Sequence, residues 1–445
     1  MYKFPDNLYC DVRLEKVKSA SISYTKGALE ESRERETSGA CIRVFDGQRW
    51  YFSNITDTDV IQNEITKLAA LARPDQHITA HPLVRRFQPN QAEIIHFSEN
   101  NISLVPVSKK NDLLRALFPI IGAEPAICTW TAVYSDFHAI TEFYSSLGAR
   151  IKFDRQLCGI NISVSMASGD KKFSDKFSAG FDTISPLHAI GPELKEHLGK
   201  CRDFLLNAKE VVPGKYPVIL SPEVAGVFAH ESFGHKSEAD FMMGDENMRK
   251  EWTIGKKVGA DMLSITDDGS LPGSGYTPFD DEGTKCSRTW LVKDGRLAGR
   301  LHSVETAAEL GEEPTGNCRA VNFEYEPIVR MTATCIEPGT LTKDGLFAGV
   351  KDGLFVETFK HGSGLSTFTI APSLAYWIKD GKIAWPVKVS VISGNVMETL
   401  GLIDGLSDKL ELKTRVGGGC GKMEQWPLPV GFGGPYVRVK ELSVM

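Results

Sequence analysis

From position 9 to position 53 apolar and polar residues alternate, in Cys10-Asp-Val-Arg-Leu-Glu-Lys-Val17, Ser21-Ile-Ser-Tyr24, Ala40-Cys-Ile-Arg-Val-Phe45 and Arg49-Trp-Tyr-Phe-Ser53. A period of two sends successive side chains to opposite faces of a strand, and Asp46-Gly47 supplies a turn, so this stretch predicts an antiparallel meander. The pattern then changes: between Thr56 and Leu71 the apolar positions Val60, Ile61, Ile65, Leu68 and Leu71 repeat with the spacing of a helix, and Thr56 or Asp57 can cap it. Pro74, Pro82, Pro89 and Pro106 make 74–107 a connecting loop with at most short strands. A short helix is expected over Lys109–Leu117, strands over Thr129–Phe143, Ala149–Phe153 and Gly159–Met166, and a helix over Gly191–Val211 with Leu194, Leu198, Cys201, Leu205 and Leu206 on one side.

Val212-Pro-Gly-Lys215 interrupts both regular structures and marks a boundary. The expected organisation is an N-terminal α+β domain over 1–211, in two strand-rich halves of about 1–85 and 105–211, and a β-rich C-terminal domain over 212–445. In the latter, 241–283 is loop-rich, and Arg288–Leu301 is a hairpin about Asp294-Gly295. Thr367–Ile370, Leu374–Lys379, Ile383–Trp385 and Val387–Ile392 are antiparallel strands, and Asn395–Leu406 a helix. The fold class is therefore α+β, two-domain, with mainly antiparallel sheets and packed helices.

One segment departs from this pattern. The apolar run that starts at Tyr216 reads as a buried helix at its end, and it delivers His230-Glu-Ser-Phe-Gly-His235. Zinc proteases place two histidine ligands four apart, on one helical face. Here they are five apart, which leaves the imidazoles roughly 140° apart around a regular helix. Irregular backbone at 233–235 is therefore expected, with Gly234 permitting a π-bulge or a helix end that swings His235 inward. The competing reading is a helix with an ordinary glutamate and two histidines bonded to backbone. A third ligand is needed, and Cys420, in Gly417-Gly-Gly-Cys-Gly-Lys422, is the candidate, because thiolate binds zinc strongly and the glycines let backbone approach closely. A small buried cysteine in a flexible turn is the alternative.

Composition narrows the partners. The 445 residues carry a net charge of −6 with no dense basic block, which argues against a nucleic-acid partner. The nine cysteines show no Cys-x-x-Cys pair, and no basic-then-apolar leader opens the chain, so reduced thiols in the cytoplasm are expected. The most apolar long stretch, Ala116 to Tyr134, is broken by Pro119 and Glu124, so no transmembrane span is expected. Asp280-Asp-Glu282 lacks the spacing of a calcium loop and reads as a solvated or backbone-capping turn with no metal. His302 is a structural histidine or an outer partner of the site, and His361, in Lys360-His-Gly-Ser-Gly364, belongs to a glycine-rich loop near the cleft.

Taken together, these segments resemble the TldD/PmbA family of metalloproteases, once described as modulators of DNA gyrase and as peptide-maturation factors. The resemblance rests on His230-Glu-Ser-Phe-Gly-His235, Ile265-Thr-Asp-Asp-Gly-Ser-Leu-Pro-Gly273, Asp280-Asp-Glu-Gly-Thr284, Pro314-Thr-Gly-Asn317, Arg330-Met-Thr332 and Val416-Gly-Gly-Gly-Cys-Gly-Lys422, with Asp11-Val-Arg13 through Gly39 similar to the family's opening. It implies a TldD-like, metal-binding subunit, since TldE-like (PmbA) subunits typically lack the histidine motif. Zinc would be held by His230, His235 and Cys420, with Glu231 the catalytic carboxylate. It also implies a dimer with a TldE/PmbA-like paralogue, a homodimer being the other arrangement, and a hydrolase acting on unfolded or extended peptides in their maturation or degradation. A thiolate ligand makes the metal a weaker Lewis acid, so a slow, selective peptidase is expected. Two other classes stay open: a non-catalytic regulatory or scaffold subunit with a structural metal, and a metal-dependent hydrolase of another amide.

Overall fold

The computed structural model describes residues 2–364 and 366–445. Its first half is built on one sheet of strands β1 (Tyr9–Thr25), β2 (Ala28–Phe45), β3 (Trp50–Ile55), β4 (Gln91–Ile94), β5 (Ile127–Ser145), β6 (Arg150–Ser168) and β7 (Lys171–Phe181). The order is β3-β2-β1-β5-β6-β4, with β7 also paired to β6. The two strand groups read from the sequence share this sheet, because β1 is antiparallel to both β2 and β5: Val12 lies opposite Ile42 on one side and Tyr144 on the other. Helix α1 (Ile61–Leu71) buries Ile61, Ile65 and Leu68 against Val12, Ile42 and Val44. Asp57 caps the turn that precedes it, accepting from the Asp59 N–H at 3.0 Å.

Strand β2 begins earlier than its alternation predicts. Residues 29–38 are exposed and heavily charged, so no buried face marks them as strand. They extend because β1 offers them a continuous backbone partner, Ser19 opposite Arg35 and Lys16 opposite Ser38. Helix α2 (Val107–Arg115) falls near its expected place, and β4 is one of the short strands allowed for the proline-rich stretch. Helix α3 (Gly191–Asn207) buries Leu194, Leu198, Cys201 and Leu205 in a core shared with Ile219, Phe355 and Tyr376 of the second half.

The second half holds a ten-stranded sheet and a six-stranded one. In the larger, β8 (Gly214–Leu220) is parallel to the strand Asp352–Val356 and antiparallel to Val437–Val444. In the smaller, Ile265–Asp267 pairs with Ala333–Ile336, which is parallel to Gly431–Gly434. Between β8 and the smaller sheet runs helix α4 (Pro222–Ala229), with every residue but Glu223 buried. A Cβ at Gly226 would lie 2.8 Å from the Gly433 Cα, so the helix rests directly on the strand backbone. Most strands expected in 366–392 are present. The helix expected to reach Leu406 covers only Val396–Gly401, and the chain then returns as the strand Ile403–Leu406 against Val437–Val444. Phe359–Gly364, expected as loop, is an edge strand paired with Thr367–Pro372, and its glycines hide the alternation.

The halves are also joined by buried charge. Arg13 Nη1 lies 2.6 Å from Asp281 Oδ2, and Arg43 pairs with Asp11 at 2.7 Å and Glu282 at 3.1 Å. Asp280 accepts the N–H groups of Glu282, Thr284 and Cys318. The acidic turn is thus backbone-capping, as one of its two readings had it, and closed off rather than solvated. All nine cysteines are free. Among the described residues no helix is long and apolar enough to cross a membrane.

Candidate metal centre

The motif histidines sit where α4 changes its winding. Ser221 starts the helix by accepting from the Val224 N–H, and regular turns continue to Ala229. From His230 to Gly234 the backbone forms a π turn, in which the His235 N–H donates to the His230 carbonyl five residues back. A tight turn over His235–Ser237 follows. The added residue brings the second imidazole round to the first, with ring centroids 5.1 Å apart and planes at 78°. Irregular backbone was expected at 233–235 and extends over 230–237. The reason for the glycine differs from the expected one: Gly234 has ordinary helical angles, φ −55° and ψ −53°. Its Cβ would overlap the sulfur of fully buried Met331, so close packing, not backbone freedom, excludes a side chain.

Cys420 reaches the histidines from a hairpin, Cys420–Lys422 against Gln425–Leu428. Arg330, fully buried, donates to the Cys420 carbonyl at 2.8 Å, and a Cβ at Gly419 would overlap the Leu428 carbonyl oxygen. The Cys420 Sγ then lies 3.4 Å from His235 Nε2, and the donor atoms of His230, His235 and Cys420 all fall within 4.8 Å of one another.

Charge around the sulfur is polarised. Burial alone would raise the Cys420 thiol, but hydrogen bonds and charge from His230 and His235 overcome it and bring it down to about 5. Burial likewise disfavours His235 as a cation, yet Cys420 and Glu238 hold its proton up to about 10. Glu238, wholly buried, accepts from His235 Nδ1 at 3.2 Å and is joined by Lys422 Nζ at 3.0 Å. Its carboxyl is opposed by burial, but His235 and Lys422 keep it below the usual range. With Nδ1 committed to Glu238, Nε2 is directed at Cys420.

These residues suit a metal ion. Ligands at 2.0–2.3 Å from a tetrahedral ion stand roughly 3.3–3.8 Å apart, which matches the His235–Cys420 separation. His230 Nδ1 is buried with no hydrogen-bond partner among the described residues. Two imidazoles and a thiolate are donors that zinc favours.

Glu231, between the two histidines in sequence, lines with them and Cys420 a cavity of about 380 Å³. The same cavity is lined by Lys176 of β7 and by Arg415, whose guanidinium pairs with Glu223 and lies 4.8 Å from the Phe359 ring centre. Burial, then Arg415, lowers the Lys176 amine. His302 is outside the site, bonded to Thr306 at 3.0 Å and Glu312 at 2.9 Å, and His361 lies exposed on the edge strand Phe359–Gly364. Glu238, Lys422, Arg330, Lys176 and Arg415 were not expected at the site. Lys422 and Arg330 stand in motif segments already singled out and Glu238 three residues beyond His235, whereas Lys176 resembles any solvent-facing lysine of a strand.

Residues 213–445 match the PmbA/TldA metallopeptidase C-terminal domain, and residues 10–73 match domain 1 of the same group. A metalloprotease of Synechocystis is 32% identical over 98% of this chain and 94% of its own. A zinc metalloprotease TldD homolog of Saccharolobus solfataricus is 29% identical over 98% of this chain and 96% of its own. Among solved structures, TldE from Thermococcus kodakarensis has the same fold, with a TM-score of 0.76 at 14% identity, covering 98% of this chain and 96% of that one.

Proposed function

The chain belongs to the TldD/PmbA metallopeptidase family, and we propose that it is a zinc-dependent peptidase acting on unfolded or extended peptides. The carrying observation is one carboxylate, Glu231, set in a cavity wall between two histidines whose donor atoms converge with that of Cys420. His230, His235 and Cys420 would hold the zinc, which when bound supplies the Lewis acidity that polarises a carbonyl and acidifies water.

The chain's own residues do the rest. Glu231 is the general base that takes a proton from the attacking water and returns it to the departing amine. Glu238 orients His235 and keeps negative charge behind the ring. Lys176 and Arg415 put positive charge in the cavity lining, where it attracts carbonyl oxygens or a peptide carboxylate. A second element of the reading, carried by the family resemblance, is that the working enzyme pairs with a paralogue lacking the histidine motif.

The test is Glu231→Gln. The variant is expected to keep its zinc and lose about 10²–10⁴-fold in peptidase rate, assayed alone and with such a paralogue. Full activity in Glu231→Gln would overturn the assignment. A metal-loaded wild type with no activity in either setting would favour a scaffold subunit with a structural metal.

A further inference from the structure

A second group of donor atoms lies outside this site, between β7 and α3. His197 and Cys201 are four apart on α3 and so share one helical face. Asp175 comes from β7 opposite them. His197 Nε2 lies 3.4 Å from Cys201 Sγ and 3.4 Å from Asp175 Oδ2, and the sulfur lies 3.8 Å from the same oxygen. The three distances form a closed triangle of the size that three ligands of one tetrahedral ion make.

A hydrogen-bond relay is the other arrangement these residue types can make, and the geometry argues against it. In a nucleophile–base–acid relay the histidine uses one nitrogen for each neighbour. Here Nε2 faces both, so the ring cannot take a proton from the sulfur on one nitrogen while the other is held by the carboxylate. The sulfur is also fully buried, and its thiol is pushed up, by burial first and by Asp175 next, so it is no free nucleophile. The other carboxylate oxygen, Oδ1, is fixed by the Ser373 hydroxyl at 2.6 Å, as outer partners fix ligating carboxylates.

We propose that Asp175, His197 and Cys201 form a second site for a divalent transition metal, with zinc the ion best matched to its oxygen, nitrogen and sulfur donors. Binding releases the thiol proton to solvent, and the carboxylate and thiolate then neutralise the ion's two charges. Ions reach it through a cavity of about 650 Å³, lined by Asp175 and His197, that shares Lys176, Phe359 and Arg415 with the candidate catalytic one. The bound ion ties β7 to α3 and, through Ser373, to the ten-stranded sheet. Lys176, next to Asp175, is thereby held in the catalytic wall.

The test is metal stoichiometry of the full chain, stripped with chelator and titrated with Co2+ and with Zn2+. Two equivalents are expected in the wild type, each with a thiolate-to-cobalt absorption band, and one in either Cys201→Ser or Cys420→Ala. His197→Gln serves as a second variant should Cys201→Ser not fold, and thermal stabilisation by zinc in Cys420→Ala reads the new site alone. One equivalent in the wild type, abolished by Cys420→Ala, overturns the proposal. One equivalent abolished only by the α3 variants upholds it and overturns the catalytic site instead.

Discussion

The π-turn cluster and the α3 cluster each set a cysteine beside histidine, yet they put their sulfurs in opposite states. Cys420 faces two imidazoles, which draw its proton away despite burial and hold it at about 5. Cys201 faces one imidazole and a carboxylate, and the carboxylate adds to burial in keeping the proton on. The partner, more than the depth, decides which thiol is poised as a thiolate. The clusters differ in construction too. His197 and Cys201 are one helical turn apart, whereas Cys420 is brought to His235 across 185 positions by Arg330 and a glycine-rich hairpin. The first is local; the second exists only once the C-terminal half has folded.

Breaking the long-range arm should have the largest effect. Arg330→Met leaves the Cys420 and Gln425 carbonyls without their buried donor, costing on the order of 3 kcal/mol. A lower midpoint in denaturant is expected, together with loss of metal at His230, His235 and Cys420 and none at α3. Wild-type stability and metal content would show that the hairpin needs no such anchor. Next comes Glu238→Gln, which removes the charge behind His235 and should weaken metal binding about 10–100-fold with the fold intact. Chelator competition measures it, and an unchanged affinity would remove Glu238 from the site.

The contrast between the sulfurs can be read directly by alkylation of the metal-stripped protein. The Cys420 rate should hold near its plateau down to roughly pH 6 and fall only as pH passes below about 5. At roughly pH 6 it should exceed that of an ordinary thiol by about ten-fold, once the lower nucleophilicity of an acidic thiol is allowed for. Cys201 should stay unreacted until the chain unfolds. A Cys420 rate that rises steeply from neutral to alkaline pH would contradict the charge arrangement described. The smallest effect belongs to Ser373→Ala, which removes one hydrogen bond from Asp175 and should cost about 1 kcal/mol, seen as a slight fall in thermal midpoint.

Strands whose apolar and polar residues alternate were plain in the sequence, as β1 and the second part of β2 show. Where both faces are wet, as over 29–38, or where glycines remove the side chains, as over Phe359–Gly364, alternation carries nothing and pairing partners decide. The odd spacing of His230 and His235 pointed to a local irregularity, because helical geometry alone forbids their meeting. What it could not convey was the role of Gly234, which depends on Met331, nearly a hundred positions away. The acidic turn taught the same lesson: a solvated turn stayed open beside a backbone-capping one because the partners of Asp281 and Glu282, Arg13 and Arg43, lie in the opening strands. Long-range partners of this kind leave no periodic trace in the chain.

The position of Val437–Val444 carries a consequence for the order of synthesis. That strand lies inside the ten-stranded sheet, with β8 on one side and both Ile392–Asn395 and Ile403–Leu406 on the other. A ribosome releasing the chain from its N-terminus delivers β8 more than two hundred residues before its neighbour exists. During that interval β8 and the apolar α4 have an open side, so the half that carries the histidines cannot close until residues 437–444 have emerged and is the part most exposed to chaperones or to aggregation. Ligand-competent protein should therefore appear only after residues 437–444 have emerged, in a single late step rather than progressively.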